Sequence, residues 1–427
     1  MLKLDFSSDE LNKKFANSMK EIPGGAIGVA VSGGGDSVAL LALSSYWART
    51  NGRIIEIATV DHGLRKNSSV ECDEVKKIAT DHNLRHSTIK WLDKPKGNLQ
   101  NAARNARHRL LSDWATVNNL SSVLLGHTLD DNAETIMLRL IRGSGVDGLS
   151  GISKTKQIGN LVLFRPLLNF PREHLRKYLR VMKLNWIEDP SNFDERFDRV
   201  KVRNLLSQLK ATGLTKSKLV VTANHMSRAK DELNRQVRIF SKRCIEQKRW
   251  GNIEIIHDIF LEASSEIQLR LLSGALRWMS GKVYRPRFSD LERLLSAIIE
   301  KKLNGGRSLM GTLIKEVGGR VILSREFSAI QRPIIVEKPN FIWDGRWRIE
   351  VEREVLERTE VGALGTKGLT AVKNFRNFDV PRKELIGSVA LFENGVLICL
   401  PIISFGKGLN SSLIGGSQSF FNFLGTY

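Results

Sequence analysis

"AVSGGGDSVALLAL", Ala30 to Leu43, sets three consecutive glycines between an apolar run and a helical pattern. The preceding run, "AIGVAV" at 26–31, has the length and apolarity of a buried strand. The pattern that follows predicts a helix from Ser37 to about Arg49. Glycine lets a backbone approach a ligand closely and adopt dihedrals that other residues avoid. A strand that turns straight into a helix aims free N–H groups at one point, and the helix N-terminus adds partial positive charge. The stretch reads as a phosphate cradle lined by Ser32, Gly33, Gly34, Gly35 and Ser37, with both serines supplying hydroxyls. Asp36 has the wrong charge to hold an anion directly. It fits if Mg2+ lies between carboxylate and phosphate.

Outward from the cradle, strand and helix patterns alternate to about residue 213. "RIIEIATVDHG", "HSTIKWL" and "SSVLLGH" read as strands two to four. "SSVECDEVKKIATDHN", "NLQNAARNARHRLLSDWATVNNL" and "LDDNAETIMLRLIRG" read as helices. Such alternation predicts an α/β fold, a parallel sheet with helices on both faces. Ligands in these sheets bind beyond the carboxyl ends of the strands. Three polar motifs fall there: "SGGGDS", "DHGLR" and "GHTLDD". Two other phosphate signatures fail. No GxxxxGK[ST] string occurs, and "GSGVDG" at 143–148 follows a helix rather than a strand.

The 427-residue chain predicts two or three domains and has a net charge of +21. Charge this basic points to a polyanionic partner, most often nucleic acid. It is concentrated: Arg199 to Arg249 holds 14 Lys/Arg against 3 Asp/Glu, whereas Ile335 to the end holds 11 against 10. Cys72, Cys244 and Cys399 are far apart, which argues against a zinc ribbon, an iron–sulfur site or a disulfide framework. The opening residues are polar and charged, so no signal peptide is expected, and no apolar stretch of about 20 residues occurs. A cytoplasmic protein with no membrane association is expected.

SGGxDS after the first strand resembles the mark of the PP-loop ATP pyrophosphatases, which split ATP to AMP and pyrophosphate. "VDHGLR" (60–65), "HTLDDNAETIMLRLIRGSGVDGLSGI" (127–152), "EDPSN" (188–192) and "RVKVRNLL" narrow it. Together they resemble the tRNA(Ile)-lysidine synthase family, densely over about 25–210 and more weakly through 300–326 and the tail. The resemblance implies an adenine nucleotide alpha hydrolase-like fold. It implies a ligase that joins lysine to the wobble cytidine of an isoleucine tRNA. ATP first adenylates the base; lysine then displaces AMP.

On that reading Ser32 to Ser37 bind ATP and Asp36 reaches Mg2+. Asp130, Asp131 and Glu134 stand at i, i+1 and i+4 of one helix, close enough to act together. They are candidates for Mg2+ or for substrate ammonium groups: Asp36, Asp130 and Asp131 for metal, Glu134 for positioning lysine, Asp131 for metal or amine. An ordinary capped helix with an acidic first turn is the plain alternative for the same acids. Free lysine has a side-chain pKa near ~10.4, so its attacking amine must lose a proton. By resemblance, Arg107, with Arg104 one turn away, faces ATP or the lysyl site, and Arg203 is catalytic or contacts RNA. His62 and His127 each follow a strand and are candidates for adenine or phosphate contact. The chain departs from the family at Gly35, where a larger residue is usual. It departs again at His108 for tyrosine and at Val200 for asparagine.

Three domains are expected: a PP-loop catalytic domain at 1–213, a basic helical or mixed tRNA-binding domain at 214–334, and a small β-rich tRNA-docking domain at 335–427. The basic helices would grip the tRNA and bring its anticodon loop to the sheet; the near-neutral tail would dock the acceptor stem. "EDPSNFDERFDR" is expected to be a mobile loop. The rival enzyme is a PP-loop tRNA thiolase, which the lack of paired cysteines disfavours. The rival from another class is a tRNA-binding protein with an inactive ATP site.

Overall fold

The computed structural model describes residues 8–63, 68–93, 99–158, 161–188, 196–282, 284–303, 305–372 and 379–425. Leu64 and Arg65 of "VDHGLR", Asp189 to Asn192 of "EDPSN" and most of the expected mobile loop lie outside them. The chain divides into two compact units, Met1–Lys230 and Asp231–Tyr427.

The first unit begins with α1 (Ser8–Ser18), then β1 (Ala26–Ala30), α2 (Gly35–Thr50), β2 (Ile55–Asp61), α3 (Ser68–Asp81) and β3 (Arg85–Lys90). It continues with α4 (Leu99–Val117), β4 (Leu120–Leu125), α5 (Leu129–Ile141) and α6 (Val146–Leu149). A hairpin of β5 (Thr155–Ile158) and β6 (Leu161–Phe164) precedes α7 (Arg172–Val181), α8 (Asp198–Leu209) and α9 (Lys216–Cys244). The four expected strands form a parallel sheet in the order β3-β2-β1-β4, extended by β6 and an antiparallel edge strand β5. Sequence periodicity did not reveal that hairpin, because four-residue strands are too short to show a period.

Alternation along each strand separates two apolar layers. Ile27, Val29, Ile57 and Leu124 pack with Phe15, Leu40, Leu41, Val75 and Leu179 from α1, α2, α3 and α7. Ala58, Val123, Leu125 and Leu163 pack with Leu111, Trp114 and Ala115 of α4. Strand order reverses between β1 and β4, the switch point at which open α/β sheets hold ligands. "GSGVDG" follows α5 and runs into α6, with no strand before it, which bears out its rejection as a dinucleotide fingerprint.

A smaller apolar cluster decides what surrounds α5. Leu129, Ala133, Ile136 and Met137 pack with Val202 and Leu206 of α8 and Leu219, Val220 and Ala223 of α9. The first turns of the basic segment are thereby fixed beside the acidic end of α5.

The second unit continues from α9 with β7 (Ile245–Gln247), β8 (Ile253–Ile256), α10 (His257–Leu261), α11 (Ser265–Ser280) and α12 (Phe288–Ile299). A meander of β9 (Arg307–Leu309), β10 (Thr312–Val317) and β11 (Arg320–Arg325) completes a five-stranded sheet. Beyond it lie a four-stranded and a three-stranded sheet. The sequence reading separates the parts before and after residue 335. In the structure both contribute to one core: Phe260, Leu271, Met279, Ile298 and Leu323 cluster with Trp343, Ile349, Val361, Leu391 and Phe420. Among the described residues no helix is long and apolar enough to cross a membrane.

Candidate active site

The loop after β1 is held by its own serines. Ser37 Oγ donates to the Gly34 carbonyl at 2.8 Å and accepts from the Ser32 amide at 3.1 Å. The two hydroxyls stand 3.3 Å apart. Gly33 has φ +84°, and a Cβ there would lie 2.6 Å from Ile187 Cδ1. Gly33 thus answers to both backbone conformation and close packing. Gly34 faces open space, with only Ser32 Oγ within 4 Å of an ideal Cβ, at 3.9 Å. Gly35 packs beside Trp186, where an ideal Cβ would be 3.3 Å away. The loop after β4 lies against the cradle, since a Cβ on Gly126 would be 3.3 Å from Ser37 Cα.

Acidic groups converge on the cradle's edge. Thr128 caps α5; its amide and hydroxyl donate to Asp131 Oδ2 at 2.8 and 2.9 Å. The capping-box alternative for this acidic turn therefore holds for Asp131, but it accounts for one oxygen only. Asp131 Oδ1 accepts from Arg172 at 2.9 Å. The same guanidinium donates to Asp36 Oδ2 at 2.8 Å and lies 3.6 Å from Glu134 Oε1. Glu134, 1% exposed, also takes Arg203 Nε at 2.9 Å. Asp130 turns the other way: Oδ1 accepts from Lys216 at 2.6 Å and Oδ2 from the Arg172 amide at 2.8 Å.

Charge at these acids follows from their partners. Burial alone would push Asp131 up, but Arg172 and the Thr128 bonds hold it below the ordinary carboxylate range. Burial raises Asp36, with Arg172 opposing and Asp131 adding repulsion. The difference is local: Asp36 Oδ1 is buried with no hydrogen-bond partner. That orphaned oxygen beside a phosphate cradle fits Mg2+, which takes one or two carboxylates together with substrate phosphates and water. Among the described residues no three His, Cys, Asp or Glu groups gather to hold a metal by themselves.

A basic cluster lies near the same edge. Burial pushes the Arg107 guanidinium down, and Arg104 and Arg199 add repulsion. His127 is pushed down to about 3 by burial and then by Arg165. His108 is pushed down to about 4 by burial and then by Arg107. Arg165, 4% exposed, donates to the Ser153 carbonyl at 2.9 Å. Nε of Arg107 and of Arg165, Nε2 of His108 and Nδ1 of His127 are buried without partners. His62 follows β2 and meets Trp91 edge-on at 5.8 Å.

The structure thus gathers Asp36, Asp131 and Glu134 around the guanidinium of Arg172 and sets Arg203 on Glu134. It sets Asp130 on Lys216 and places Arg107 and His127 in the basic cluster. Sequence reasoning missed Arg172, Lys216, Arg165 and Thr128. Two left a trace: Arg172 is a cation immediately after Pro171 at a helix start, where the dipole disfavours it, and Arg165 interrupts the apolar run "LVLFRPLL". Lys216 is one basic residue among many and left none.

Fold and cradle define a class, the PP-loop nucleotide-binding domains, and the model of a PP-loop domain matches residues 7–210. A tRNA(Ile)-lysidine synthase of Ruegeria pomeroyi is 35% identical over 92% of this chain and 93% of its own. Others from Wolbachia pipientis wMel and Bradyrhizobium diazoefficiens are 39% and 42% identical, over 75% and 74% of this chain and 76% and 93% of theirs. The chain belongs to the tRNA(Ile)-lysidine synthase family.

Proposed function

We propose that this protein is the ligase its family resemblance implies: it joins lysine to the wobble cytidine of an isoleucine tRNA at the expense of ATP. The base is adenylated with release of pyrophosphate, and lysine then displaces AMP. One observation carries the reading. Asp36 of the glycine loop and Asp131 and Glu134 of α5 all reach the one guanidinium of Arg172, at 2.8, 2.9 and 3.6 Å, so the loop that would bind phosphate adjoins the acids that would meet the amine.

The cradle residues Ser32 to Ser37 would hold the nucleotide phosphates, and Asp36 Oδ1 would take Mg2+, which supplies charge neutralisation when bound. Glu134, largely shielded from water, would hold an ammonium group of lysine, and Arg203 keeps that carboxylate oriented. The unpartnered nitrogens of Arg107 and Arg165 are placed for anionic oxygens of nucleotide or RNA, where preorganised cations lower the barrier to charge development. His127, neutral at physiological pH, offers a hydrogen bond without adding charge. Basic residues of α8 and α9 would grip the tRNA backbone, and residues 335–427 would dock its acceptor stem. A thiolase reading gains nothing here, because burial pushes the lone thiol of the first unit, Cys72, up to about 11, away from reactive thiolate.

Purified protein supplied with ATP, Mg2+, labelled lysine and total tRNA should incorporate label into tRNA and release pyrophosphate only when lysine and tRNA are both present. Sulfide-dependent thiolation without lysine incorporation would overturn the assignment.

A further inference from the structure

Arg172 enters the acid cluster from the first residue of α7. A helix N-terminus repels a cation, so the position is explained by what the side chain reaches. Its guanidinium joins Asp36 on α2 to Asp131 on α5 at 2.8 and 2.9 Å, with Glu134 at 3.6 Å. The three carboxylates meet three different nitrogens of this one guanidinium and, as they stand, are not set as a ready-made metal site; without it their uncompensated charge would draw in a hard divalent cation. With it, a single positive charge already serves all three. The consequence is uneven. Asp131 is engaged at both oxygens, by Arg172 and by Thr128. Asp36 keeps one buried oxygen without a partner.

We propose that Arg172 is a positioning residue that occupies the cation seat between Asp36, Asp131 and Glu134, so that the cluster does not load a bare divalent ion and only Asp36 Oδ1 is left for the metal that arrives with nucleotide. This rests on the assignment of Asp36 to the metal. The planar fork of arginine makes the device possible, since it presents donors to two carboxylates at once; a lysine ammonium is a point charge and does not reproduce that geometry.

The test uses Mn2+ alone as probe, titrated into nucleotide-free full-length protein and followed by the electron paramagnetic resonance of free Mn2+. The wild type should bind weakly. Arg172→Gln should bind at least tenfold more tightly, and adding Asp131→Asn should abolish the gain, because the exposed carboxylates are its source. A folded Arg172→Gln protein with Mn2+ affinity within twofold of wild type overturns the proposal. Should that variant fail to fold, Arg172→Lys decides: a gain of about threefold supports the proposal, and an unchanged affinity overturns it. Lysine incorporation by the wild type separates the two ideas. An inactive wild type beside a Mn2+ gain would sink the functional reading and leave the role of Arg172 standing.

Discussion

The acidic and basic clusters of the first unit treat charge in opposite ways. Every acid of the first has a cation: Asp36 and Asp131 share Arg172, Glu134 has Arg203, and Asp130 has Lys216. In the second, burial lowers Arg107, His108, His127 and Arg165 alike and neighbouring arginines add repulsion at each, and among the described residues no ion pair includes Arg107 or Arg165. A paired cluster holds its shape without a ligand. An unpaired buried cation is a demand for an anion that the described residues do not supply. The contrast is what the proposed reaction asks for: its anionic reactants would arrive from outside, while the carboxylates stand in position before the amine does.

Three experiments would break or sharpen the contrast. The largest effect is expected at Asp36. Asp36→Ala removes the acid of this cluster whose buried oxygen lacks a partner, and lysine incorporation should fall about a thousandfold, the upper range for losing one charge-stabilising group. Binding of tRNA in a filter assay should stay within about twofold, because phosphate contacts dominate that affinity. Equal loss of both would make the loop purely structural.

Next comes the cost of removing a cation from each cluster. Arg172→Met leaves Asp36 and Asp131 facing each other without compensation and should destabilise by about 3 kcal/mol or more. Arg165→Met loses a hydrogen bond to the Ser153 carbonyl but also relieves repulsion, so its change should stay within about 1 kcal/mol. Urea midpoints read the difference. Equal losses would show that the basic cluster is compensated after all.

The smallest effect concerns acid. His108 titrates near about 4 in the folded chain, against ~6.5 when unfolded. Between those values the unfolded chain binds the proton and the folded chain does not, so stability falls as pH drops through that window. Replacing His108 with Gln should flatten that part of the stability profile. An unchanged slope would mean that burial and Arg107 do not act on this ring as described.

Much of the first unit was legible because its signals are local. The turn after β1 announces itself through Gly33 and the flanking serines, which a tight strand-to-helix turn closed by its own hydroxyls requires. The helix expected from Ser37 begins two residues earlier, at Gly35, and ends one later, at Thr50. The acids of α5 were found as a group because helical spacing places them together. What each acid faces was not legible. Asp130 shares a helical face with Glu134, yet it points to Lys216, because packing of α8 and α9 against α5 delivers that lysine there. The boundary near 335 marks a change in charge and composition, which says nothing about whether the two sides share a core.

The sequence by itself determined the alternating α/β pattern, the glycine loop after the first strand, the family and the grouping of the α5 acids, since each is written in residues within a turn or two of one another. Tertiary structure alone decided the pairing: Arg172 with Asp36 across 136 positions, Lys216 with Asp130 across 86, and Arg203 with Glu134 across 69. Ion pairs form between groups that packing brings within about 3 Å, and no local periodicity records which distant helix end will arrive.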